Sequence, residues 1–257
     1  KINHYGSCIG RNKITFLDKE RKREDNMEEE QIRVIKIIVF GVITWAVAFI
    51  LTRRIFSSYS FDFCNRLLST AHATIAVTLA TLSVQDWSCP VCPRASKPSP
   101  QQMDTMAFSL SYMIYDLICC QFDQVISIDN AVHHLVSILG FIAGLAYQKS
   151  GSEIVATLWI AEVSSPFYHL REILKEIGYR DTNLNLAADV CFATIFTLAR
   201  IVCGPFLVYV SLSADNPIFI KAMGSGLQLV SIFWFYKIFG MMRYKLFKKP
   251  KLNKKST

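Results

Sequence analysis

The sequence predicts an all-α protein that crosses a membrane several times, and three observations lead to this fold class. Hydrophobic residues make up 52% of the 257 residues. Long apolar runs recur along the chain, and several approach the ~20 residues that a spanning helix needs. Glycine is sparse, and alternation of β-branched residues is not sustained, which argues against a barrel. We therefore expect a polytopic transmembrane helix bundle of about seven spans, with six as the alternative count.

The predicted spans follow the apolar runs in chain order. Residues 1–31 form a polar N-terminal segment. We expect residues 1–26 to be an upstream extension of the gene model, because the stretch that starts at Met27 leads directly into the first span. A genuine polar tail is the alternative. Residues 32–247 form the predicted transmembrane domain, and residues 248–257 form a basic tail. The spans are expected at residues 32–51, 62–84, 105–124, 130–147, 153–170, 186–212 and 219–242.

The positive charge is concentrated at one end of the chain. The formal net charge is +8, and the stretch from Arg243 to Thr257 contains seven Lys or Arg residues and no acid. The remainder is nearly neutral, so no basic face is left to bind nucleic acid. With the C-terminus in the cytoplasm, the inner loops and tail hold twelve basic residues against five outside. This bias predicts a cytoplasmic C-terminus and, with seven spans, a lumenal or outer N-terminus.

A proline-rich linker, WSCPVCPRASKPSP, joins the second and third predicted spans at residues 87–100. Its Cys89 and Cys92 allow two interpretations. The first is a redox CxxC motif or half of a metal site. The second is a surface loop whose thiols form a local disulfide or stay free. A redox CxxC should begin a helix beside a βαβ unit, whereas here prolines flank a loop, so we favour the loop interpretation. No four cysteines have zinc-ligand spacing, and we predict no metal site.

Ionisable residues recur inside the predicted spans, where they are costly and usually face the bundle interior or a cavity. In the third span, Asp116 lies one turn after Tyr112. In the sixth, Asp189 and Arg200 are eleven residues apart, which places them three turns apart on one helical face. A single residue of this kind more often serves packing between helices.

The fourth span begins with SIDNAVHHLVSILGF, in which two adjacent histidines interrupt an apolar run. Asn130, His133, His134 and Ser137 cluster there on one side of the helix near its start. Their conjunction with charged groups on neighbouring spans predicts a polar cavity within the membrane.

The fifth span adds a second polar face, formed by Glu162, Ser165, Pro166 and His169. Proline inside a helix removes a hydrogen bond and clashes with the preceding turn, so Pro166 should kink this span.

Two of these segments, NAVHHLVSILGF at residues 130–141 and LWIAEVSSPFYHLREILKEIG at residues 158–178, resemble the TLC-domain family. That family includes ceramide synthases and translocating-chain-associating membrane proteins. Its members have a His-His pair near the start of one span, followed by a Glu-x-Ser-x-Pro-Phe stretch and a later arginine. The resemblance covers about residues 60–245. The matching positions are His133, His134, Glu162, Ser164, Pro166, Phe167 and Arg171.

One departure from the family pattern concerns the ceramide-synthase branch. That branch has a second motif with a His-Asp pair and a further aspartate on the next span, whereas the stretch AEVSSPFYHL contains Glu162 and no aspartate. The resemblance therefore implies a branch without the full ceramide-synthase signature. The proline-rich loop and the short ends are typical of a plant-type member.

The resemblance and the residues together imply a lipid-related role. A histidine near the bilayer interface can act as a general base toward an amine or hydroxyl, or as a nucleophile that accepts an acyl group. We expect no cofactor, with acyl-CoA as a candidate co-substrate and membrane lipid as the partner. The alternatives are lipid binding without a covalent step, a structural role, and a non-enzymatic scaffold or trafficking receptor. The candidate catalytic residues are His133, His134, Glu162 and Asp116, and the candidate binding residues are Asn130, Ser137, Ser165, His169 and Arg171.

The chain ends in KKST, with Lys254 and Lys255 at the fourth and third positions from its end. This resembles the dilysine signal that coat proteins recognise when they return membrane proteins to the endoplasmic reticulum, and it requires a cytoplasmic tail. Chance adjacency in a lysine-rich tail is the alternative. The usual residence of the family agrees with the signal, so we expect a multi-pass protein of the endoplasmic reticulum.

Overall fold

A computed structural model describes residues 3–122 and 128–247. These residues form nine α-helices and no strand, which confirms the all-α class. A π-helix, Thr197–Cys203, joins α7 to α8 without a break. The helices are α1 (Asn3–Ile55), α2 (Phe61–Leu82), α3 (Pro100–Phe122), α4 (Ile128–Tyr147), α5 (Gly151–Glu162), α6 (Ser165–Glu176), α7 (Asn183–Phe196), α8 (Gly204–Ser213) and α9 (Ile218–Phe247).

Each predicted span corresponds to a helix or to a pair of consecutive helices. Among the described residues, four helical stretches are long and apolar enough to cross a membrane: Met27–Ile55, Ile128–Tyr147, Asn183–Ser213 and Ile218–Lys245. They support a multi-pass membrane protein. The α2 and α3 helices are long enough to cross a membrane but carry more polar residues, and α5 and α6 are short. The count of seven spans therefore stays a prediction. The orientation of the chain in the membrane also stays a prediction.

Local sequence explains where several helices begin. Ser60 precedes α2, and its hydroxyl accepts a hydrogen bond of 2.9 Å from the backbone N–H of Phe63, which satisfies a free donor of the first turn. The fifth predicted span breaks between Glu162 and Ser165. Pro166 lies in the first turn of α6, where its missing N–H has no helical partner to lose. The predicted kink is therefore a break between two helices, just before the proline.

Six of the described helices form a closed ring. In order around the ring, α2 contacts α3, α3 contacts α4, α4 contacts α9, α9 contacts α7, α7 contacts α6, and α6 contacts α2 again. The α1 helix lies outside the ring against α3, while α5 and α8 contact each other beside it. This arrangement leaves an interior space that is bounded by helices distant in sequence.

The apolar core lies between α1, α3 and their neighbours. Met103 and Met106 of α3 are fully buried, and the ring of Trp45 on α1 lies 5.2 Å from that of Tyr112. The opposite face of α1 is apolar and open, with Ile35 58% and Phe40 66% exposed. An apolar face of this extent suits contact with lipid rather than water.

The proline-rich loop between α2 and α3 contains a disulfide bond between Cys89 and Cys92, one of the two states that the loop interpretation allowed. The loop packs against the start of α5. The backbone N–H of Ala95 donates a 2.7 Å hydrogen bond to the buried carboxylate of Glu153, and the Ser152 hydroxyl donates one of 3.1 Å to the carbonyl of Cys92. The loop therefore covers one end of the bundle.

The close approach of α1 to α3 leads to a first prediction. A Cβ atom at Gly41 would lie 2.3 Å from the Ser111 hydroxyl oxygen, whereas one at Gly240 would meet nothing within 4 Å. We expect Gly41→Ala to lower the free energy of unfolding by about 1–3 kcal/mol, because the two helices must separate. Gly240→Ala, the matched control, should be neutral or stabilising by up to about 1 kcal/mol. Thermal unfolding in detergent measures both, and equal midpoints for the two variants would contradict the close approach.

Candidate functional site

The interior of the ring is a cavity of about 860 Å³. Its lining is polar, although the surrounding helices are largely apolar. Four acidic residues, four basic residues and four histidines line it, and each helix of the ring contributes. The acidic residues are Asp62, Asp116, Asp129 and Glu162, the basic ones are Arg66, Arg171, Arg200 and Lys237, and the histidines are His72, His133, His134 and His169.

A hydrogen-bond network fixes His134 at one side of this cavity. Its Nε2 atom lies 3.1 Å from Asp116 Oδ2, and its Nδ1 atom lies 3.3 Å from the sulfur of Met113. The second oxygen of Asp116 accepts a 2.7 Å hydrogen bond from the Asn65 amide, whose own oxygen accepts one of 3.0 Å from the Tyr115 hydroxyl. Both ring nitrogens of His134 therefore have partners, and the network joins α2, α3 and α4.

The neighbouring histidine, His133, has a different environment. Its ring lies 4.8 Å from the ring of Trp234 on α9, and only 6% of the residue is exposed. Within the part of the chain that the structure describes, its Nδ1 atom has no hydrogen-bond partner. The Trp234 indole N–H donates a 2.7 Å hydrogen bond to Asp129, which keeps the indole in place beside the histidine. His133, which lines the cavity, therefore has a buried ring nitrogen without a hydrogen-bond partner among the described residues.

A second, smaller cavity of about 90 Å³ adjoins the first. Its wall is mostly apolar and includes Phe141, Leu158 and Leu207. Four residues line both cavities, Met113, His133, Glu162 and Arg200, and we call the three ionisable ones, His133, Glu162 and Arg200, the junction residues. The site thus changes from polar to apolar across three side chains that carry or can carry a charge.

Arg200 reaches the junction from the π-helix between α7 and α8. Its guanidinium donates a hydrogen bond to the backbone carbonyl of Ala161, at the end of α5. It also lies over the rings of Phe196 and Trp234, at 5.2 and 5.5 Å from their centroids, distances at which an aromatic face attracts a cation. Glu162 attracts the same guanidinium electrostatically. A backbone carbonyl and two aromatic rings therefore contact the cation, and Glu162 adds an electrostatic attraction.

Most other charges of the cavity are paired. Arg66 forms a 2.6 Å ion pair with Asp62, and Lys237 forms one of 3.0 Å with Asp129. Arg171 forms ion pairs of 2.8 Å with Glu172 and 3.3 Å with Asp189. This pairing is expected where a charge is removed from water, because a lone buried charge is strongly destabilising.

The nine candidate site residues of the sequence analysis lie close together. Eight of them line the large cavity, and the ninth, Ser137, lines the smaller one. The Ser137 hydroxyl donates to the carbonyl of His133 in the preceding turn. The eight are Asp116, Asn130, His133, His134, Glu162, Ser165, His169 and Arg171. Their catalytic and binding roles stay predictions.

Several lining residues were missed by the sequence analysis. On α2, Asn65, Ser69 and His72 recur at i, i+4 and i+7, a helical face that a closer inspection of the second span would have found. Arg200 was noticed but received no role, and its assumed companion Asp189 does not line the cavity. Asp189 instead forms ion pairs with Arg171 and with Lys245 of α9.

No group of three or more His, Cys, Asp or Glu side chains in residues 3–122 and 128–247 is arranged to bind a metal ion. A family model described as the TLC domain matches residues 62–240 of the chain. The match begins at the first turn of α2 and ends within α9, so it includes all of the ring except the last turns of α9, and it excludes α1.

The Asp116 network leads to a second prediction. Asp116→Ala leaves the buried Asn65 amide and His134 imidazole without their partner, and we expect it to lower the free energy of unfolding by roughly 2–5 kcal/mol. Asp215 is a matched control, because its side chain is 98% exposed and, among the described residues, forms an ion pair only with Lys149. Asp215→Ala should cost less than about 1 kcal/mol. Thermal or denaturant unfolding in detergent compares them, and a similar loss in both would exclude a structural role for the network.

Proposed function

The chain belongs to the TLC-domain family, and from this premise we propose that it is a multi-pass protein of the endoplasmic reticulum that binds an acyl lipid and transfers its acyl group. One observation carries the proposal. A polar cavity adjoins an apolar one at His133, a histidine whose Nδ1 atom has no partner in the described part of the chain. Buried polar groups normally have hydrogen-bond partners, and an exception beside a cavity favours a role in binding or catalysis.

The two cavities suit the two parts of an acyl lipid. The large cavity offers charged and hydrogen-bonding groups to a polar head group, and the small one offers an apolar wall to the start of a hydrocarbon chain. Asn130, Ser165, His169 and Arg171 would contact the head group from α4 and α6. Ser137 would contact the chain near the carbonyl, because it lines the smaller cavity.

The proposed reaction transfers an acyl group from a thioester such as acyl-CoA to an amine or hydroxyl. The nitrogen or oxygen of the acceptor attacks the carbonyl carbon, while His133 accepts the proton that the acceptor loses. The carbon–sulfur bond then breaks, and the thiolate takes up that proton and leaves as a thiol. Glu162, the junction carboxylate, would stabilise the imidazolium that forms during the step. The product is an amide or an ester.

The two histidines would have different tasks in this scheme. His134 has partners at both ring nitrogens, so its proposed role, with Asp116, is to hold α3 and α4 in register and to orient its neighbour. His133 is the proposed proton acceptor, because its Nδ1 atom is unpartnered within the described parts of the chain.

A non-enzymatic scaffold or trafficking receptor is the second candidate. The observation that favours it is the absence of aspartate from residues 158–178, where the ceramide-synthase branch has part of its signature. In that case the junction would bind a lipid without a covalent step.

A third prediction separates these two functions. Purified full-length protein in nanodiscs is incubated with a long-chain acyl-CoA and a panel of lipid amines and alcohols, and products are identified by mass spectrometry. We expect turnover that His133→Ala reduces by about 10²-fold or more, the usual contribution of a general base. His134→Ala should lower the thermal stability as well as the turnover, whereas His133→Ala should leave the stability almost unchanged.

Two outcomes would count against acyl transfer. Wild-type protein that binds lipid but forms no product with any acceptor favours the scaffold. Turnover that survives His133→Ala would assign the reaction to another residue.

The fourth prediction concerns the subcellular localisation of the protein. Lys254 and Lys255 belong to the tail, residues 248–257, which lies outside the described residues. We expect Lys254→Ser with Lys255→Ser to let a tagged protein reach the Golgi or the plasma membrane while it remains folded. Lys248→Ser with Lys249→Ser removes the same charge from the same tail and should leave the protein in the endoplasmic reticulum. Unchanged retention in both double variants, seen by microscopy and glycan processing, would exclude the signal.

A further inference from the structure

We propose that Arg200 binds the carbonyl oxygen of a neutral acyl group, an ester, amide or thioester, at the junction of the two cavities. This inference rests on the proposed function, because it identifies the chemical group that the junction recognises. Four observations carry it: the backbone that presents Arg200, its free N–H group, the charge beside it, and its position between the cavities.

The backbone around Arg200 is held in an unusual form. Residues 197–203 form a π-helix, which occurs mostly as short segments and frequently at functional sites. The amide of Gln228 on α9 donates a 3.1 Å hydrogen bond to the carbonyl of Arg200. A Cβ atom at Gly204 would lie 2.3 Å from the Gln228 side-chain oxygen, so the glycine makes room for this contact. The arginine is therefore held from α9 as well as by its own helix.

One N–H donor of the Arg200 guanidinium has no hydrogen-bond partner among the described residues. One of its terminal nitrogens donates to the carbonyl of Ala161, but its Nε atom has no partner in the described parts of the chain. The residue is only 6% exposed, so bulk water does not satisfy this donor. Arg200 lines both cavities, and an oxygen atom of a ligand bound there would supply the missing partner, since an unsatisfied donor is destabilising.

The surrounding charge selects a neutral oxygen. Glu162 lines the same junction and attracts Arg200 electrostatically, so the two charges offset each other when both are ionised. A free carboxylate at the junction would add a second negative charge beside Glu162 in a medium of low dielectric constant, which is unfavourable. A neutral carbonyl oxygen accepts the same hydrogen bond without that repulsion.

The position of Arg200 matches the position of the carbonyl in an acyl lipid. Arg200 lines both cavities, as His133 does, and the carbonyl is the group that joins a polar head to an apolar chain. A carbonyl bound there would lie in the same junction as His133, whose Nδ1 atom has no partner among the described residues. The negative charge that develops on the carbonyl oxygen during acyl transfer would then lie against a fixed, buried cation.

The test compares three ligands of equal chain length in the full-length protein: a long-chain fatty acid methyl ester, the corresponding alkyl methyl ether and the free fatty acid. Each competes with a photo-crosslinkable methyl ester in nanodiscs at equal mole fraction, so that different partition into the membrane does not affect the comparison. We expect wild-type protein to bind the ester about tenfold or more tightly than the ether, as a hydrogen bond to a charged group provides. The free fatty acid should bind more weakly than the ester.

Arg200→Met should reduce ester binding to the level of the ether and leave ether binding unchanged. Ether binding thus also reports that the variant is folded. Arg200→Lys keeps the charge and loses the Nε donor, so this variant should retain only part of the preference for the ester over the ether. If Arg200→Met does not fold, the wild-type comparison of ester with ether still decides the question.

The binding measurements distinguish an incorrect role of Arg200 from an incorrect proposed function. Equal binding of ester and ether by the wild type, tighter binding of the free acid, or an ester preference that survives Arg200→Met would each overturn the role of Arg200. In all three cases acyl-chain binding itself would stand. Wild-type protein that binds none of the three ligands would overturn the proposed function and this inference together.

Discussion

The structure depends on one constraint, the cost of placing charged groups inside a membrane without partners. Each pair of neighbouring helices in the ring is joined by a polar contact between their side chains. These contacts use groups that would be strongly destabilising if exposed to lipid. In ring order they are Asn65–Asp116, Asp116–His134, Lys237–Asp129, Lys245–Asp189, Arg171–Asp189 and the face of Tyr168 against Arg66.

This closure explains why a polar cavity can exist in an apolar bundle. Each contact removes two polar groups from lipid and at the same time sets the distance between two helices. The ring therefore cannot collapse onto its own interior without breaking contacts that have no substitute at that depth. The outer surfaces have no such requirement, and α1 presents an open apolar face with Ile35 and Phe40.

The paired groups and the unpaired groups divide the cavity into two parts. His134 belongs to the paired network, and its position is determined by Asp116 and Met113. His133 and Arg200 each retain a buried nitrogen with no partner among the described residues, and both face the boundary between the polar and the apolar cavity. The paired part gives the ring its shape. The unpaired part contains the buried nitrogens to which the proposed ligand would form hydrogen bonds.

The sequence by itself determined the helical class, the family and eight of the residues that line the large cavity. These follow from local patterns: apolar runs of spanning length, the His133–His134 pair, and Glu162 before the break at Pro166. It could not distinguish the two histidines or assign a role to Arg200, and it placed Arg200 and Asp189 on one helical face without identifying their partners. Only the tertiary structure decided these points. Helical periodicity specifies which residues share a face of one helix, whereas the partners of a side chain depend on how distant helices close the ring.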